Sequence, residues 1–373
     1  MINYLYVHIP FCDHICSYCD FYKMIAKKEL INKYINYLNK ELELKKNYLN
    51  DITGIYIGGG TPSSIGLDNL KRLFKYLFTY IKSEKIVEFS IECNPKDISE
   101  ELISLLNEYH VNRISLGVQS LNSKKLRIMN RNHTKKDVIL ALKSLENRFN
   151  FNINVDLLYA FPKDNFRGIK KDIRTLMKHK VSHFSCYSLI LEEKTVLYHQ
   201  YLNNKFTLFD PDKEAKLYYK IQKYLIKHKF YQYEISNFSK KGYECKYNLN
   251  TWNNKEYIGI GASASYYIED KRYTNYSNLN KYFDGIDRNK PYYDVITLDI
   301  NDKMYEEIIL GLRKTQGINI KDFNNKYNID IISKYPKIND LIKYGFLIIN
   351  NDYLSIPLNK LYLQNSILGE ILN

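Results

Sequence analysis

Short apolar runs and longer amphipathic stretches alternate along the first half of the chain. Residues 4–9 form an apolar, strand-like run that stops at Pro10. Residues 30–49 carry apolar side chains at helical spacing: Leu30, Tyr34, Ile35, Leu38 and Leu42. A short buried strand over 54–58 ends in a glycine-rich turn, Gly58-Gly-Gly-Thr-Pro-Ser63, before a helix over 67–80. The rhythm repeats with strand 86–91 and helix 99–109, then strand 113–118 and helical segments 123–129 and 135–147. Strand 153–158, helix 168–178 and strand 183–189 complete it. Alternation of this kind predicts a parallel sheet with helical crossovers. About six βα units, without a dinucleotide glycine fingerprint after the first strand, favour a barrel-like sheet over a Rossmann fold.

Further along, an amphipathic helix over 212–229 precedes Tyr231-Gln-Tyr-Glu-Ile-Ser-Asn-Phe238 and the glycine-rich stretch Tyr257-Ile-Gly-Ile-Gly-Ala-Ser-Ala-Ser265. A helix over 304–314, short helices, a strand pair within 345–356 and a last helix over 358–372 have a different character. The expected division is a core over 1–285 and a smaller, mostly helical, winged-helix-like domain over 286–373.

The turn after the first strand holds Cys12, Cys16 and Cys19 with C-x3-C-x2-C spacing. Iron–sulfur clusters are held by cysteine thiolates, normally four to a [4Fe-4S] cube. Three on one loop leave one iron open for a ligand. Zinc would require a second cysteine pair or histidines at ligand spacing, and only His14 lies inside the loop. A disulfide plus one spare thiol is the other alternative. Polar residues also recur where later strands stop: Gly59, Gly60 and Thr61, then Glu92, Gln119 and Asp156. In parallel barrels that end of the sheet builds the site.

Composition changes this picture little. The 373 residues suffice for one large core plus a smaller module. Six cysteines, three of them clustered, fit a reducing compartment, and neither a signal peptide nor a stretch of membrane-spanning length is evident. The expected location is cytoplasmic. A net charge of +14 invites a nucleic-acid reading, but the lysines are spread evenly among abundant Asn, Ile and Tyr. Short runs such as 23–28 read as solvated faces, so nucleic acid is not the expected partner.

Tyr6-Val-His-Ile-Pro-Phe-Cys12, followed by Cys19-Asp-Phe21, resembles the radical S-adenosylmethionine (SAM) superfamily, and within it the oxygen-independent coproporphyrinogen III oxidase family. The resemblance implies an α/β fold, the partial (β/α)6, TIM-like barrel. It also implies a [4Fe-4S] cluster on Cys12, Cys16 and Cys19. SAM contacts would fall on Tyr6, Gly59, Gly60, Thr61, Glu92, Gln119, Arg131 and Asp156. Physically, the SAM ammonium wants an acceptor, its ribose wants carboxylate or amide partners, and its adenine wants apolar packing. Leu310-Gly-Leu-Arg313 is similar to the family's C-terminal domain.

Two features separate branches of that family. Asp20-Phe21 follows Cys19 where the dehydrogenase carries a further cysteine, and only eleven residues precede Cys12. Both resemble the HemW-type heme chaperone branch, which binds heme and passes it to acceptor proteins such as respiratory cytochromes. That branch carries a His-Asn-x-x-Tyr-Trp motif, and here the matching stretch is Tyr247-Asn-Leu-Asn-Thr-Trp252. Asn248 and Trp252 agree, while Tyr247 stands at the histidine position. If the branch's histidine ligates heme iron, the ligand here is Tyr247, Cys245 or another residue; otherwise the loop only shapes the pocket. The competing expectations are a coproporphyrinogen III dehydrogenase, which would need an electron donor, and, less favoured, a radical SAM enzyme acting on tRNA. Against the latter, the C-terminal module has no aromatic RNA-binding motif. His8 and His183, both on strands, are expected to be packed and hydrogen-bonded rather than ligands.

Overall fold

A computed structural model describes residues 2–148 and 152–372. The first six βα units follow the alternation of the sequence. They are strand β1 (Tyr4–Ile9), helix α1 (Lys28–Leu44), β2 (Gly54–Gly59), α2 (Leu67–Tyr80), β3 (Glu88–Cys93) and α3 (Glu100–Glu108). Then come β4 (Arg113–Gln119), α4 (Ser123–Ile128), α5 (Lys135–Arg148), β5 (Asn152–Tyr159), α6 (Phe166–Leu176) and β6 (Val181–Ser188). β1 to β6 lie side by side in chain order, all parallel.

Alternate strand residues make the outer core. Leu5, Val7 and Ile9 of β1 are fully buried, in one core with Tyr34, Ile35, Leu38 and Leu42 of α1. On α2, Leu70, Leu73, Phe74 and Leu77 are buried at helical spacing. α3 starts where the Ser99 hydroxyl accepts the Leu102 N–H at 3.1 Å, an ordinary N-cap. The intervening residues of the same strands turn inward and are largely polar.

After helices α7 (Val196–Leu202) and α8 (Pro211–Lys227), β7 (Tyr231–Gln232) and β8 (Asn237–Ser239) extend the sheet antiparallel from β6. Helix α9 (Lys246–Trp252) follows, and then β9 (Ile258–Ile260), which pairs parallel with the free edge of β1. The result is a nine-stranded sheet ordered β7-β8-β6-β5-β4-β3-β2-β1-β9. β7 and β9 do not pair, so the barrel is partial.

The chain leaves β9 through Gly261, whose φ of 102° puts it in the left-handed region. A Cβ there would stand 2.5 Å from the His8 carbonyl oxygen. The glycine-rich stretch is therefore a close backbone approach. Glu41 of α1, fully buried, anchors it. Its carboxylate accepts from Gly261 N (2.8 Å), Asn275 Nδ2 (2.8 Å), Tyr282 Oη (2.6 Å) and Lys45 Nζ (2.7 Å).

Strands β10 (Ser265–Ile268), β11 (Lys271–Asn275) and β12 (Tyr292–Thr297) form a separate antiparallel sheet, and α10 (Leu279–Asp287) lies between the last two. Residue 285 falls inside α10. Tyr282, Phe283 and Ile286 of that helix belong to the first core. A second core runs from Met304 to Ile371. It packs helices Ile300–Gly311, Ile320–Tyr327, Ile331–Lys334, Lys337–Lys343 and Gln364–Leu372 around a small sheet of Ile318–Asn319, Tyr353–Ser355 and Ile348–Asn350. Among the described residues no helix is long and apolar enough to cross a membrane.

Candidate functional site at the strand ends

A cavity of about 450 Å³ occupies the concave side of the sheet. At its mouth, the loop after β1 carries Cys12, Cys16 and Cys19. The loop is held by its backbone. Cys12 N donates to Met24 O (2.9 Å) and Met24 N to Pro10 O (2.7 Å), while Ser17 N donates to Met129 O (3.0 Å) and Leu197 N to Ser17 O (2.9 Å). The Asn130 amide adds a bond to Ile15 O (2.8 Å). All three cysteines line the cavity and none is in a disulfide.

Around the sulfurs, the Thr61 hydroxyl lies 3.4 Å from Cys12 Sγ and Arg131 Nη1 lies 3.4 Å from Cys16 Sγ. A Cβ on Gly60 would come within 3.0 Å of Cys12 Sγ, so glycine is what lets the second turn close on the first. Burial pushes the Cys12 thiol up to about 11. Among the described residues no three His, Cys, Asp or Glu side chains converge on one ion position. A cubane takes one thiolate per iron, so its cysteines need not meet at a point. Three free thiols on a pinned loop, with a guanidinium and a hydroxyl beside them, suit an anionic cluster better than a lone zinc.

The strand ends bring most of the sequence-derived residues to this cavity. Gly59, Gly60 and Thr61 line it from β2, with Glu92 from β3, Gln119 from β4, Arg131 from the loop after α4 and Asp156 from β5. Glu92 accepts from Tyr56 Oη at 2.7 Å and from Gly59 N at 3.1 Å. Burial pushes its carboxyl up to about 7; nearby Asp156 adds to the rise and those two hydrogen bonds oppose it. Arg131 donates to Asn94 Oδ1 (2.8 Å) and Gly117 O (2.6 Å). Asp156 accepts from Ser115 Oγ (3.0 Å) and Asn154 Nδ2 (2.8 Å), and burial raises its carboxyl too. Gln119 has φ 60° at a register irregularity of β4, a left-handed conformation that is uncommon away from glycine.

Tyr6 is not among the cavity-lining residues. Its hydroxyl is 2.9 Å from His8 Nδ1, and its ring stacks with Tyr56 (6.3 Å) and Tyr247 (6.0 Å). His8 Nε2 in turn meets Tyr22 O at 3.1 Å, so Tyr6 acts on the cysteine loop through His8.

The stretch matched to the heme motif lies at the other end of the barrel. α9 docks on the N-terminal ends of the strands, where Glu88, the first residue of β3, accepts the N–H groups of Lys246 and Tyr247 at 3.0 Å each. Tyr247 stacks on Tyr56 at 4.9 Å and Trp252 sits against the Arg313 guanidinium; neither lines the cavity, whereas Asn248 and Cys245 do. Inward-facing residues absent from the sequence-derived set are Tyr56, Arg113, Ser115, Asn154, His183 and Ser185. Their signal was present: Arg113, Ser115, Gly117 and Gln119 share one face of β4 at the strand period of two.

Residues 6–176 match the family model described as the radical SAM superfamily, and residues 298–359 match the HemN C-terminal domain. The chain is 35% identical to the heme chaperone HemW of Bacillus subtilis, over 98% of both chains. It is 37% identical to the heme chaperone HemW of Lactococcus lactis, over 92% of this chain and 90% of the relative. The solved coproporphyrinogen III oxidase (HemN) of Escherichia coli superposes with a TM-score of 0.86 at 19% identity, covering 99% of this chain and 90% of that one. The last likeness speaks to the fold alone. A radical SAM core, a HemN-type C-terminal domain and full-length similarity to curated relatives agree: the chain belongs to the HemW heme chaperone family of radical SAM proteins.

Proposed function

We propose that this protein is a cytoplasmic heme chaperone that binds SAM and a [4Fe-4S] cluster, takes up heme and passes it to acceptor proteins, respiratory cytochromes among them. The observation that carries the reading is the 35% identity across 98% of both chains to a protein named heme chaperone. Cys12, Cys16 and Cys19 would each hold one iron, and the cluster would supply an open coordination position and one-electron chemistry. Gly59, Gly60 and Thr61 would approach the SAM methionyl group with bare backbone, Arg131 would face its carboxylate, and Glu92 and Asp156 would offset its positive charges. Gln119 would serve as an amide partner, and Tyr6 would position the loop from behind.

Anaerobic titration of heme into cluster-loaded protein, followed at the Soret band, tests the function. Saturable binding near one heme per chain and transfer to a heme-free cytochrome are expected. Absence of binding, with conversion of a porphyrinogen under SAM and reductant, would overturn the reading in favour of the dehydrogenase. Tyr247→Phe is expected to keep the Soret band, because the stack on Tyr56 survives without the hydroxyl; its loss would identify a phenolate ligand.

Glu92 gives SAM binding a pH signature. Its native carboxyl holds a proton more tightly than its ordinary value of 4.5. The stability it contributes is therefore greatest in acid and falls as pH rises from 4.5 to about 7. A cationic ligand prefers the ionised form, so its binding expels that proton. SAM affinity is expected to rise by up to roughly tenfold between pH 6 and pH 8. Glu92→Gln should flatten the profile and weaken binding by about 10- to 100-fold. Calorimetric titrations at three pH values would show this; equal affinities throughout would remove Glu92 from the SAM site.

A further inference from the structure

On the inner face of β5, Asn154 sits two residues before Asp156. It lies in one row with Ser115 of β4 and His183 of β6. The row exists because β6 slips. Ile153 pairs with Val181 but Asn154 pairs with His183, so one extra residue of β6 is taken up at that point. An insertion of this kind re-aims a side chain. Here it places the His183 ring on the wall of the cavity, toward its floor.

The hydrogen bonds of this row run in one direction. An ionised carboxylate only accepts, so the Asn154 atom 2.8 Å from Asp156 Oδ1 is the amide nitrogen, which also donates to Ser115 Oγ at 2.7 Å. Ser115 spends its own proton on Asp156 Oδ2 at 3.0 Å. The amide oxygen therefore faces His183 Nδ1 at 2.6 Å, with Ser185 Oγ as a second donor at 3.1 Å. An amide oxygen also only accepts, so His183 Nδ1 carries the proton. Burial, with Arg113 nearby, keeps the ring neutral. That leaves Nε2 as an acceptor and makes Tyr233 Oη its donor at 2.8 Å. Tyr233 in turn accepts the Cys245 N–H at 3.3 Å. From Cys245 onward every proton points toward Asp156, and bonds in such a chain polarise one another. Asp156 gains a donor on each oxygen, which, with Arg113 nearby, opposes the rise that burial imposes on its carboxyl.

We propose that His183 is a positioning residue for SAM: as its Nδ1–H tautomer it fixes the Asn154 amide, and that amide and Ser115 hold Asp156 ionised at the cavity wall. The role rests on the reading that Asp156 faces the SAM cation. The tautomer, by contrast, belongs to the protein with or without SAM. His183 itself touches no ligand, since both its ring nitrogens are spent on Asn154 and Tyr233.

Two measurements on cluster-loaded protein test this. Without SAM, nitrogen NMR of isotope-labelled histidines should show one ring, missing from His183→Asn, that keeps its proton on Nδ1 and a bare Nε2 across neutral pH. An Nε2–H tautomer or an imidazolium there would overturn the proposal. Calorimetric titration with SAM then compares His183→Asn with His183→Leu, whose side chains share one branched outline. The asparagine amide reaches the Nδ1 position and should keep SAM affinity within about threefold of wild type, whereas leucine should weaken it by about tenfold or more. Equal affinities in the two variants would overturn the proposal, because packing alone would treat them alike. Should leucine fail to fold, His183→Gln decides: its longer amide reaches Tyr233 instead of Asn154 and should also bind SAM weakly. Asp156→Asn should weaken SAM at least as much as His183→Leu. Unchanged affinity in Asp156→Asn would fault the SAM reading rather than the relay, ending the positioning role while the tautomer stands.

Discussion

Cys16→Ser is expected to purify with iron reduced from about four atoms per chain to near zero, and without the brown absorbance near 400 nm. The loop that presents Cys16 is fixed by its backbone, through Ser17 to Met129, Leu197 to Ser17 and Asn130 to Ile15. The side chain itself touches little beyond Arg131. Serine should therefore leave the fold and the thermal midpoint almost unchanged while replacing a soft thiolate by a poor iron ligand. Metal analysis of the wild type separates the alternatives, since iron with sulfide supports the cubane and stoichiometric zinc does not. A normal iron content in the variant would sink the assignment of the three cysteines.

Glu41→Ala is expected to carry the largest stability penalty of any single carboxylate change, about 3–5 kcal/mol. Four donors converge on that buried carboxylate. One is Lys45, whose Nζ also donates to Gly259 O (2.7 Å) and stands 3.8 Å from the centre of the Tyr266 ring. Truncation leaves that ammonium buried without a counter-charge and frees the turn at Gly261. Glu41→Gln keeps the shape and should cost less. Urea unfolding would read both, and an alanine variant within about 1 kcal/mol of wild type would show that water replaces the carboxylate.

The upper half of the site was legible in the chain because each apolar strand there ends in an abrupt polar change, as at Ile57-Gly-Gly-Gly-Thr61 and Ile91-Glu92. Periodicity likewise placed the helices over α2 and α3, where buried residues recur at 3.6. The floor was harder. Arg113, Asn154 and His183 sit at the starts of strands, where a polar residue looks like the end of a loop, and only closure of the sheet turns them toward one another. Tyr6 and Tyr247 were assigned to ligands through resemblance. In the folded chain they stack on each other, a contact between β1 and α9 that no local pattern announces.

The pairing of β1 with β9 has a consequence for synthesis. β1 leaves the ribosome long before β9, and one edge is covered early by β2, through Leu5 to Ile55 and Val7 to Ile57. Its other edge waits for Leu5 to meet Ile258 and Val7 to meet Ile260. Until residue 260 emerges, the strand that precedes the cysteine loop is an open apolar edge, the kind that invites pairing with other chains. Long-range contacts of this sort close slowly. A nascent or truncated chain that stops short of β9 is thus exposed to aggregation at β1, and cluster insertion gains a firm platform only once that late strand has docked.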